Sequence, residues 1–114
     1  GRNSPLSHKT GFDLIAQAFA GVMAVTGPRG GAPHPAGLGM ADVSSGAHAF
    51  AALGYALYHR ERTGRGQWMD ISMIDSLFHM HEVNVQAPQV TDGAFRPSPM
   101  GNHHPLVCPC GVYK

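Results

Sequence analysis

The sequence has few cysteines, little net charge and no long hydrophobic run. Its two cysteines, Cys108 and Cys110, do not make a disulfide framework, so a reducing cytoplasm is the expected compartment. The formal net charge of +1 gives no electrostatic attraction to nucleic acid or to a membrane surface. No apolar run approaches the roughly 18 residues that a transmembrane helix needs. We therefore expect neither a nucleic-acid partner nor a membrane partner.

Histidine is abundant, but its distribution does not indicate a metal site. Eight histidines are scattered along the chain. The densest group places His103 and His104 near Cys108 and Cys110, which are ligand types that zinc prefers. Structural zinc pairs usually have about two to four residues between their cysteines, whereas here only Pro109 separates them. We expect no metal, and interpret these histidines as loop residues and the cysteines as half-buried.

The hydrophobic pattern predicts helices that alternate with short strands. Residues 13–26 show helical spacing, with Asp13 placed to cap them, and Gly21 is interpreted as a close-packing position rather than a break. Residues 43–62 are apolar nearly all round, which predicts a helix buried on most sides. The predicted elements, in order, are helix 13–26, loop 27–37, strand 37–41, helix 43–62, turn 63–67, strand 68–72, helix 73–87, linker 88–105 and strand 106–113.

This order of elements indicates an α/β fold with a right-handed crossover between strands. Ser72 and Asp75 have the spacing of a capping box at the start of the third helix, and Pro88 is expected at its end or just beyond. So few strands do not complete a sheet. We therefore expect the chain to be an internal part of a longer protein.

A single carboxylate, Asp42, lies between predicted strand 37–41 and the helix that follows. Open α/β sheets usually place their chemistry at such junctions. The position fits a helix N-cap and also a nucleophile, and the local pattern leaves both roles open. Ser44 and Ser45 lie nearby, but their neighbours do not form the Gly-x-Ser-x-Gly elbow of a serine hydrolase. The glycine-rich residues 27–31 lack the Gly-Lys-Ser/Thr of a phosphate loop.

Six short runs, each weak alone, occur together in one order and cover essentially the whole chain. They are Gly11-Phe12-Asp13 with Gln17-Ala18 and Gly21, Thr26-Gly27, Ala41-Asp42 with Gly46, the segment 60–67, the segment 70–75 and the segment 101–105. In this combination the chain resembles the class III CoA-transferases. That family includes formyl-CoA transferase and carnitine CoA-transferase, and α-methylacyl-CoA racemase is a relative.

The resemblance implies an internal fragment of a longer subunit that forms an interlocked homodimer. Residues 1–87 would be the C-terminal part of a large Rossmann-like domain, and residues 88–114 the linker towards a small domain. The implied fold is α/β, with a helix-rich fragment that carries short parallel strands. The implied partners are an acyl-CoA, a carboxylic acid and a second subunit. The CoA thioester is a substrate, and no permanently bound cofactor is expected.

The resemblance also implies a catalytic role for Asp42. It matches the family's catalytic aspartate, which attacks an acyl-CoA thioester to give a mixed anhydride and free CoA thiolate. The thiolate then forms an aspartyl-CoA thioester, from which the acceptor carboxylate takes the CoA. The implied activity is transfer of CoA from an acyl-CoA to a free carboxylic acid.

Four residues, Lys9, Thr10, Gly11 and Phe12, match a segment that lines the family's CoA nucleotide site. Tyrosine often occupies the Phe12 position in the transferases, so a hydroxyl contact is lost and a flat face for stacking stays. The racemase has an acid/base histidine there, and phenylalanine cannot move a proton. Two alternatives to a transferase are a racemase-like epimerase and a non-catalytic fragment. We expect little or no activity from the isolated chain, because most of the CoA site would be missing.

Overall fold

The computed structural model describes residues 3–113, and the regular structure within that range is helical. The three longer predicted helices are present, but two of them are divided. The helices are α1 (Asp13–Phe19), α2 (Val22–Val25), α3 (Met40–Thr63), α4 (Met73–His79) and α5 (Glu82–Val90). The helix-rich character expected from the sequence is confirmed.

None of the three predicted strands is found between residues 3 and 113. Met40 and Ala41, predicted to end the first strand, instead begin α3, and the segment 65–72 has no regular structure. In the last predicted strand, one isolated antiparallel bridge joins His103 to Gly111. A strand needs a paired neighbour for its backbone N–H and C=O groups, and the described chain offers almost none. The short parallel strands are therefore not confirmed.

Gly21 divides the predicted helix 13–26 into α1 and α2, so the prediction of one continuous helix was wrong. Its φ of +84° lies in the left-handed region, which glycine adopts without the penalty paid by other residues. The close-packing interpretation was also wrong, because a Cβ added at Gly21 would meet no atom within 4 Å. Gly21 is thus a backbone break between α1 and α2.

The long helix α3 begins three residues earlier than predicted and ends one residue later. Gly64 follows it with a φ of +69° and donates its N–H to the carbonyl oxygen of Arg60 over 2.7 Å, as expected for a residue after a helix C-terminus. The predicted burial on most sides was wrong. Only Ala41 and Ala56 of α3 are buried, whereas Phe50 is 80% exposed. The partners that would bury the rest of this helix are not supplied by residues 3–113.

The third predicted helix, 73–87, is divided at Met80 and His81 into α4 and α5. Ser72 is the N-cap of α4, and its hydroxyl oxygen accepts the backbone N–H of Asp75 over 3.3 Å, which confirms the predicted cap. Pro88 lies inside α5, two residues before its end, rather than at or beyond that end. In the last turn of so short a helix, the missing N–H of proline removes at most one helical hydrogen bond.

A small apolar core lies where four helices meet. It is formed by Ala16 of α1, Val22 of α2, Ala41 of α3 and Leu77 of α4. The helices α1, α3 and α4 pack against one another around it. Ala41 is fully buried, so the first turn of α3 is anchored in this core.

In the described part of the chain, no helix combines the length and apolarity needed to cross a membrane. The predicted linker is mostly irregular after Val90, and it returns to the first loop, where the N–H of Gly101 donates to the carbonyl oxygen of Gly27 over 3.1 Å. The division at residues 87 and 88 stays a prediction.

Candidate active site

Asp42 lies in the first turn of α3, with its side chain exposed. It is the third helical residue, and Gly39 is the N-cap, so the N-cap interpretation of Asp42 was wrong. The Asp42 carboxylate leans back over the start of the helix, since a Cβ added at Gly39 would lie 3.7 Å from Asp42 Oδ2. The positive end of the helix dipole stabilises negative charge at this place.

A second carboxylate, Asp13, also reaches the start of α3. Asp13 Oδ1 accepts the backbone N–H of Ala41 over 2.7 Å. The sequence predicts that Asp13 caps its own helix, but Phe12 is the N-cap of α1 and Asp13 is its first residue. Asp13 therefore supplies a side-chain acceptor to a different helix, 28 residues further along the chain.

Gln17 is fully buried on α1 and lies one turn after Asp13. Its Nε2 donates to Asp13 Oδ2 over 2.6 Å and to the carbonyl oxygen of Leu38 over 3.0 Å. Its Oε1 accepts the N–H of Ala36 over 2.9 Å. The side chain therefore connects α1 to the loop that leads into α3, and a buried amide is stable only when it is paired in this way.

Sequence reasoning missed this network. The i, i+4 spacing of Asp13 and Gln17 shows that they share one face of α1. Nothing in the sequence identifies their partners, because those partners are backbone groups, which every residue type carries.

Three of the predicted CoA-binding residues, Lys9, Thr10 and Gly11, line one cavity of about 580 Å³. This volume is within the range of small-molecule sites, which is about 300–1,000 Å³. Its other walls come from α1 and from the segment that precedes and begins α4, and they include Ile15, Phe19, Asp70, Ile71, Ser72, Met73 and Ile74. The cavity thus has a cationic residue, Lys9, and an acidic residue, Asp70, beside an apolar wall.

Phe12 and Asp42 do not line this cavity, but each is the sequence neighbour of one residue in a hydrogen-bonded pair. Phe12 is 68% exposed and directly precedes Asp13, while Asp42 directly follows Ala41. Because Asp13 and Ala41 are hydrogen-bonded, Phe12 and Asp42 each lie one residue from the same contact. The segment that begins at the cavity with Lys9 therefore continues to the helix start that carries Asp42.

Two histidines meet across α3 and α4, a pair that sequence reasoning did not predict. His48 Nδ1 lies 2.7 Å from the carbonyl oxygen of Ser44, which can only accept, so Nδ1 carries the hydrogen. His48 Nε2 lies 3.4 Å from His79 Nδ1. Both rings line a groove of about 380 Å³ whose other lining residues include three shared with the first cavity, Asp70, Ile71 and Ser72. Each histidine lies in a different predicted helix, so spacing along the chain does not reveal the contact.

His81, at the break between α4 and α5, is also a buried polar residue. Burial lowers its pKa from the ordinary value of 6.5. Its Nδ1 lies 3.5 Å from Asn84 Nδ2, and its buried Nε2 has no hydrogen-bond partner within residues 3–113. The neutral form of His81 is therefore favoured in the folded state.

The group of histidines and cysteines near the C-terminus does not converge on a common point. His104 Nδ1 accepts the N–H groups of Leu106 and Val107, so this nitrogen serves a turn. Cys108 and Cys110 are exposed, which corrects the expectation that they are half-buried. Among the described residues, no three histidine, cysteine or acidic side chains are placed to hold a metal ion.

Comparison with known proteins gives a consistent result over the whole chain. The model of "CoA-transferase family III" matches residues 1–114. The chain is 35% identical over 115 residues to an acetyl-CoA:oxalate CoA-transferase of Acetobacter aceti, covering all of this chain and 29% of that protein. It is 39% identical over 111 residues to a succinyl-CoA:mesaconate CoA-transferase of Haloarcula hispanica, covering 95% of this chain and 28% of that protein.

A solved structure has the same fold. The crystal structure of a CaiB/BaiF family protein from Brucella suis superposes with a TM-score of 0.85 at 29% sequence identity. The match covers 96% of this chain and 28% of the solved chain. The chain thus spans less than a third of the length of the proteins that it matches.

Proposed function

The chain belongs to CoA-transferase family III, and on that premise we propose that its protein moves CoA from an acyl-CoA to a free carboxylate, with Asp42 as the nucleophile. The observation that carries the proposal is the placement of Asp42. Its carboxylate is exposed at a helix start, while the preceding residue, Ala41, is held by burial and by a hydrogen bond to Asp13.

The proposed reaction has two halves, and the second reverses the first with the acceptor acid in place of the donor acid. An Asp42 oxygen attacks the thioester carbon, the carbon–sulfur bond breaks, and a mixed anhydride and CoA thiolate form. The thiolate attacks the Asp42 carbonyl carbon and releases the donor acid, leaving an aspartyl-CoA thioester. The acceptor carboxylate then attacks that thioester, and the released thiolate attacks the acyl carbon of the new anhydride. The products are a new acyl-CoA and the original carboxylate of Asp42, so no oxidant or reductant is needed.

A carboxylate is a weak nucleophile, so its placement must supply much of the rate. The first turn of α3 offers the positive end of the helix dipole to the negative charge of Asp42. The exposure of Asp42 leaves room for a thioester to approach. Tetrahedral intermediates in the proposed steps also need hydrogen-bond donors for their oxyanions.

We propose that the cavity lined by Lys9, Thr10 and Gly11 takes part of the CoA nucleotide. An ammonium group is a suitable partner for phosphate, and the apolar wall that includes Ile71 suits the rest of a nucleotide ligand. The exposed ring of Phe12 offers a flat face next to this segment. A side chain of this type cannot transfer the proton that racemisation requires, which favours the transferase over the epimerase.

For the acids, we propose short dicarboxylates. The names of the relatives include oxalate, succinate, mesaconate and glutarate, all of which carry two carboxyl groups. A panel of these four acids, with acetate and propionate as monocarboxylate controls, tests this part of the proposal. Preference for the monocarboxylates would contradict it.

We further propose that the full-length protein is a homodimer. The exposed apolar surface of α3, which includes Phe50, Tyr55 and Tyr58, supports packing against a second subunit. Native mass spectrometry of the full-length protein should give a mass of two subunits. A monomer at micromolar concentration would be the opposing result.

The nucleophile is tested with the full-length protein and the variants Asp42→Asn, Asp42→Ala and Asp92→Asn. Turnover in the presence of borohydride or hydroxylamine should modify the peptide that contains Asp42 and no other acidic peptide. Both Asp42 variants should lose activity, and the exposed control Asp92→Asn should keep it. Full activity of Asp42→Ala, together with no label on Asp42 in the wild-type protein, would refute the mechanism. Deuterium uptake at the α-carbon of the acyl-CoA would instead indicate an epimerase.

A further inference from the structure

A partly buried polar network connects α1 to the segment that carries Asp42. We propose that Asp13 and Gln17 are positioning residues, which hold the start of α3 so that Asp42 keeps its orientation towards the thioester. This inference rests on the proposed function, in which Asp42 is the nucleophile. Neither Asp13 nor Gln17 lines the cavity proposed for CoA, so they act through Asp42.

Gln17 holds the loop before α3. Both N–H groups of its amide are used, one on Leu38 and one on Asp13, and its oxygen accepts the N–H of Ala36. The two ends of the amide therefore face partners of opposite kind, which selects one orientation of the side chain. Because the side chain is fully buried, water cannot replace a lost partner. The loop residues Ala36 and Leu38 are thus held at two points.

Asp13 holds the first turn of the helix. The N–H of Ala41 is one of the first four of α3, which have no acceptor inside the helix. The N-cap, Gly39, has no side-chain oxygen to offer, so Asp13 supplies the acceptor from α1. A hydrogen bond to an ionised carboxylate is stronger than one between neutral groups. The residue next to this bond is Asp42.

Packing in the core also holds Ala41 in place. The methyl group of Ala41 is buried in the core with Ala16 and Leu77. Ala41 is thus held by packing and by the Asp13 hydrogen bond, while Asp42, one residue on, stays exposed. Misplacement of a reacting group by about 1 Å can cost about 100-fold in rate. Loss of the network should therefore lower kcat more than it changes the binding of acyl-CoA.

The test uses the full-length protein with Asp13→Ala, Asp13→Asn and Gln17→Leu. The matched controls are Asp92→Asn and Gln89→Leu, which change the same residue types at exposed positions. We expect kcat to fall about 100-fold in Asp13→Ala and Gln17→Leu, with KM for acyl-CoA within about threefold of wild type. The rate of trapping of Asp42 by borohydride in a single turnover should fall by the same factor as kcat.

The conservative variant Asp13→Asn covers the case in which a larger change prevents folding. The new amide keeps an oxygen that can accept the N–H of Ala41. Its NH2 group, however, faces the NH2 group of Gln17, and two donors cannot pair. Its kcat should lie between those of wild type and Asp13→Ala. Hydrogen exchange of peptides that span residues 36–42 should be faster in every folded variant of the network and unchanged in the controls.

Wild-type kcat in folded Asp13→Ala or Asp13→Asn would overturn the positioning role, as would a change confined to KM. Different outcomes distinguish failure of the proposed function from failure of the positioning role. If Asp42→Asn is inactive while the network variants are fully active, only the positioning role is wrong. If Asp42→Asn is fully active, the nucleophile assignment is wrong. The structural part of the inference is then still tested by hydrogen exchange of residues 36–42, and exchange in Asp13→Ala that is unchanged or slower would overturn it.

Discussion

The Asp13 carboxylate accepts the backbone N–H of Ala41 over 2.7 Å, and this contact joins the first turns of α1 and α3. The residue before Asp13 is Phe12, from the predicted CoA-binding segment, and the residue after Ala41 is the proposed nucleophile, Asp42. Two parts of the proposed site, distant in sequence, therefore meet at one hydrogen bond. Four predictions follow from this arrangement and from the helices around it.

Replacing Lys9 by alanine should raise KM for acyl-CoA about tenfold and change kcat by less than about threefold, because a contact to the nucleotide is equally strong in the ground and transition states. Steady-state kinetics of the full-length protein at two salt concentrations measures this. The variant should also lose part of the salt dependence of KM. Arg65→Ala, a cation outside the cavity, is the control, and an equal effect of both changes would contradict the assignment.

Gly21→Ala should destabilise the protein by about 1–2 kcal/mol, because a left-handed backbone with a φ of +84° is unfavourable for alanine. The space around the new methyl group is open, so backbone strain is the expected cause. Gly66→Ala is the matched control at a position with open space and no left-handed φ, where the same change should stabilise by up to about 1 kcal/mol. Thermal unfolding of the full-length proteins shows whether each change lowers or raises the stability. A stabilised Gly21→Ala would show that this position is not held in the left-handed region.

Ser72→Ala should cost about 1 kcal/mol, because it removes the hydroxyl oxygen that accepts the N–H of Asp75 at the start of α4. Ser72→Asn keeps a side-chain acceptor at the N-cap and should restore most of the loss. Both variants are compared by thermal unfolding without ligand, because Ser72 also lines the cavity. Equal melting temperatures for Ser72→Ala and wild type would contradict the capping role.

His81 should make stability depend on pH. Burial lowers its pKa in the folded state, so the unfolded chain binds the proton more tightly. The contribution of the neutral side chain is present above the unfolded pKa of about 6.5 and is lost as the pH falls from there towards the folded pKa. Melting temperatures from pH 8 to pH 5 should therefore fall more steeply for wild type than for His81→Gln. His59→Gln, at an exposed position, should retain the wild-type slope, and identical slopes in all three proteins would contradict the prediction.

Local features were predictable from the sequence because their causes are local. Helical spacing predicts most of α3, and Gly64 and Ser72 mark a helix end and a helix start by their backbone freedom and side-chain chemistry. The six runs also led to the family that the comparison supports over residues 1–114. Each of these signals is carried by residue types within a short window.

Features that depend on a partner were predicted less well. The apolar surface of α3 suggested burial, but Phe50 remains exposed because the described residues contain no partner for it. The predicted strands failed in the same way, since a strand is defined by its neighbour. Gly21 was misread for a different reason, because the residue type fits both a tight contact and a left-handed break, and only the backbone angle distinguishes them.

The sequence by itself determined the family and Asp42 as the candidate nucleophile, and it predicted a helix that begins next to Asp42. Only the tertiary structure decided that Asp13 caps α3 rather than α1, and that Gln17 holds the loop before it. Their partners are backbone N–H and C=O groups, which lie 19 to 28 residues away and are the same in nearly every residue type. No residue pattern distinguishes one such group from another, so their pairing emerges only when the helices are packed together.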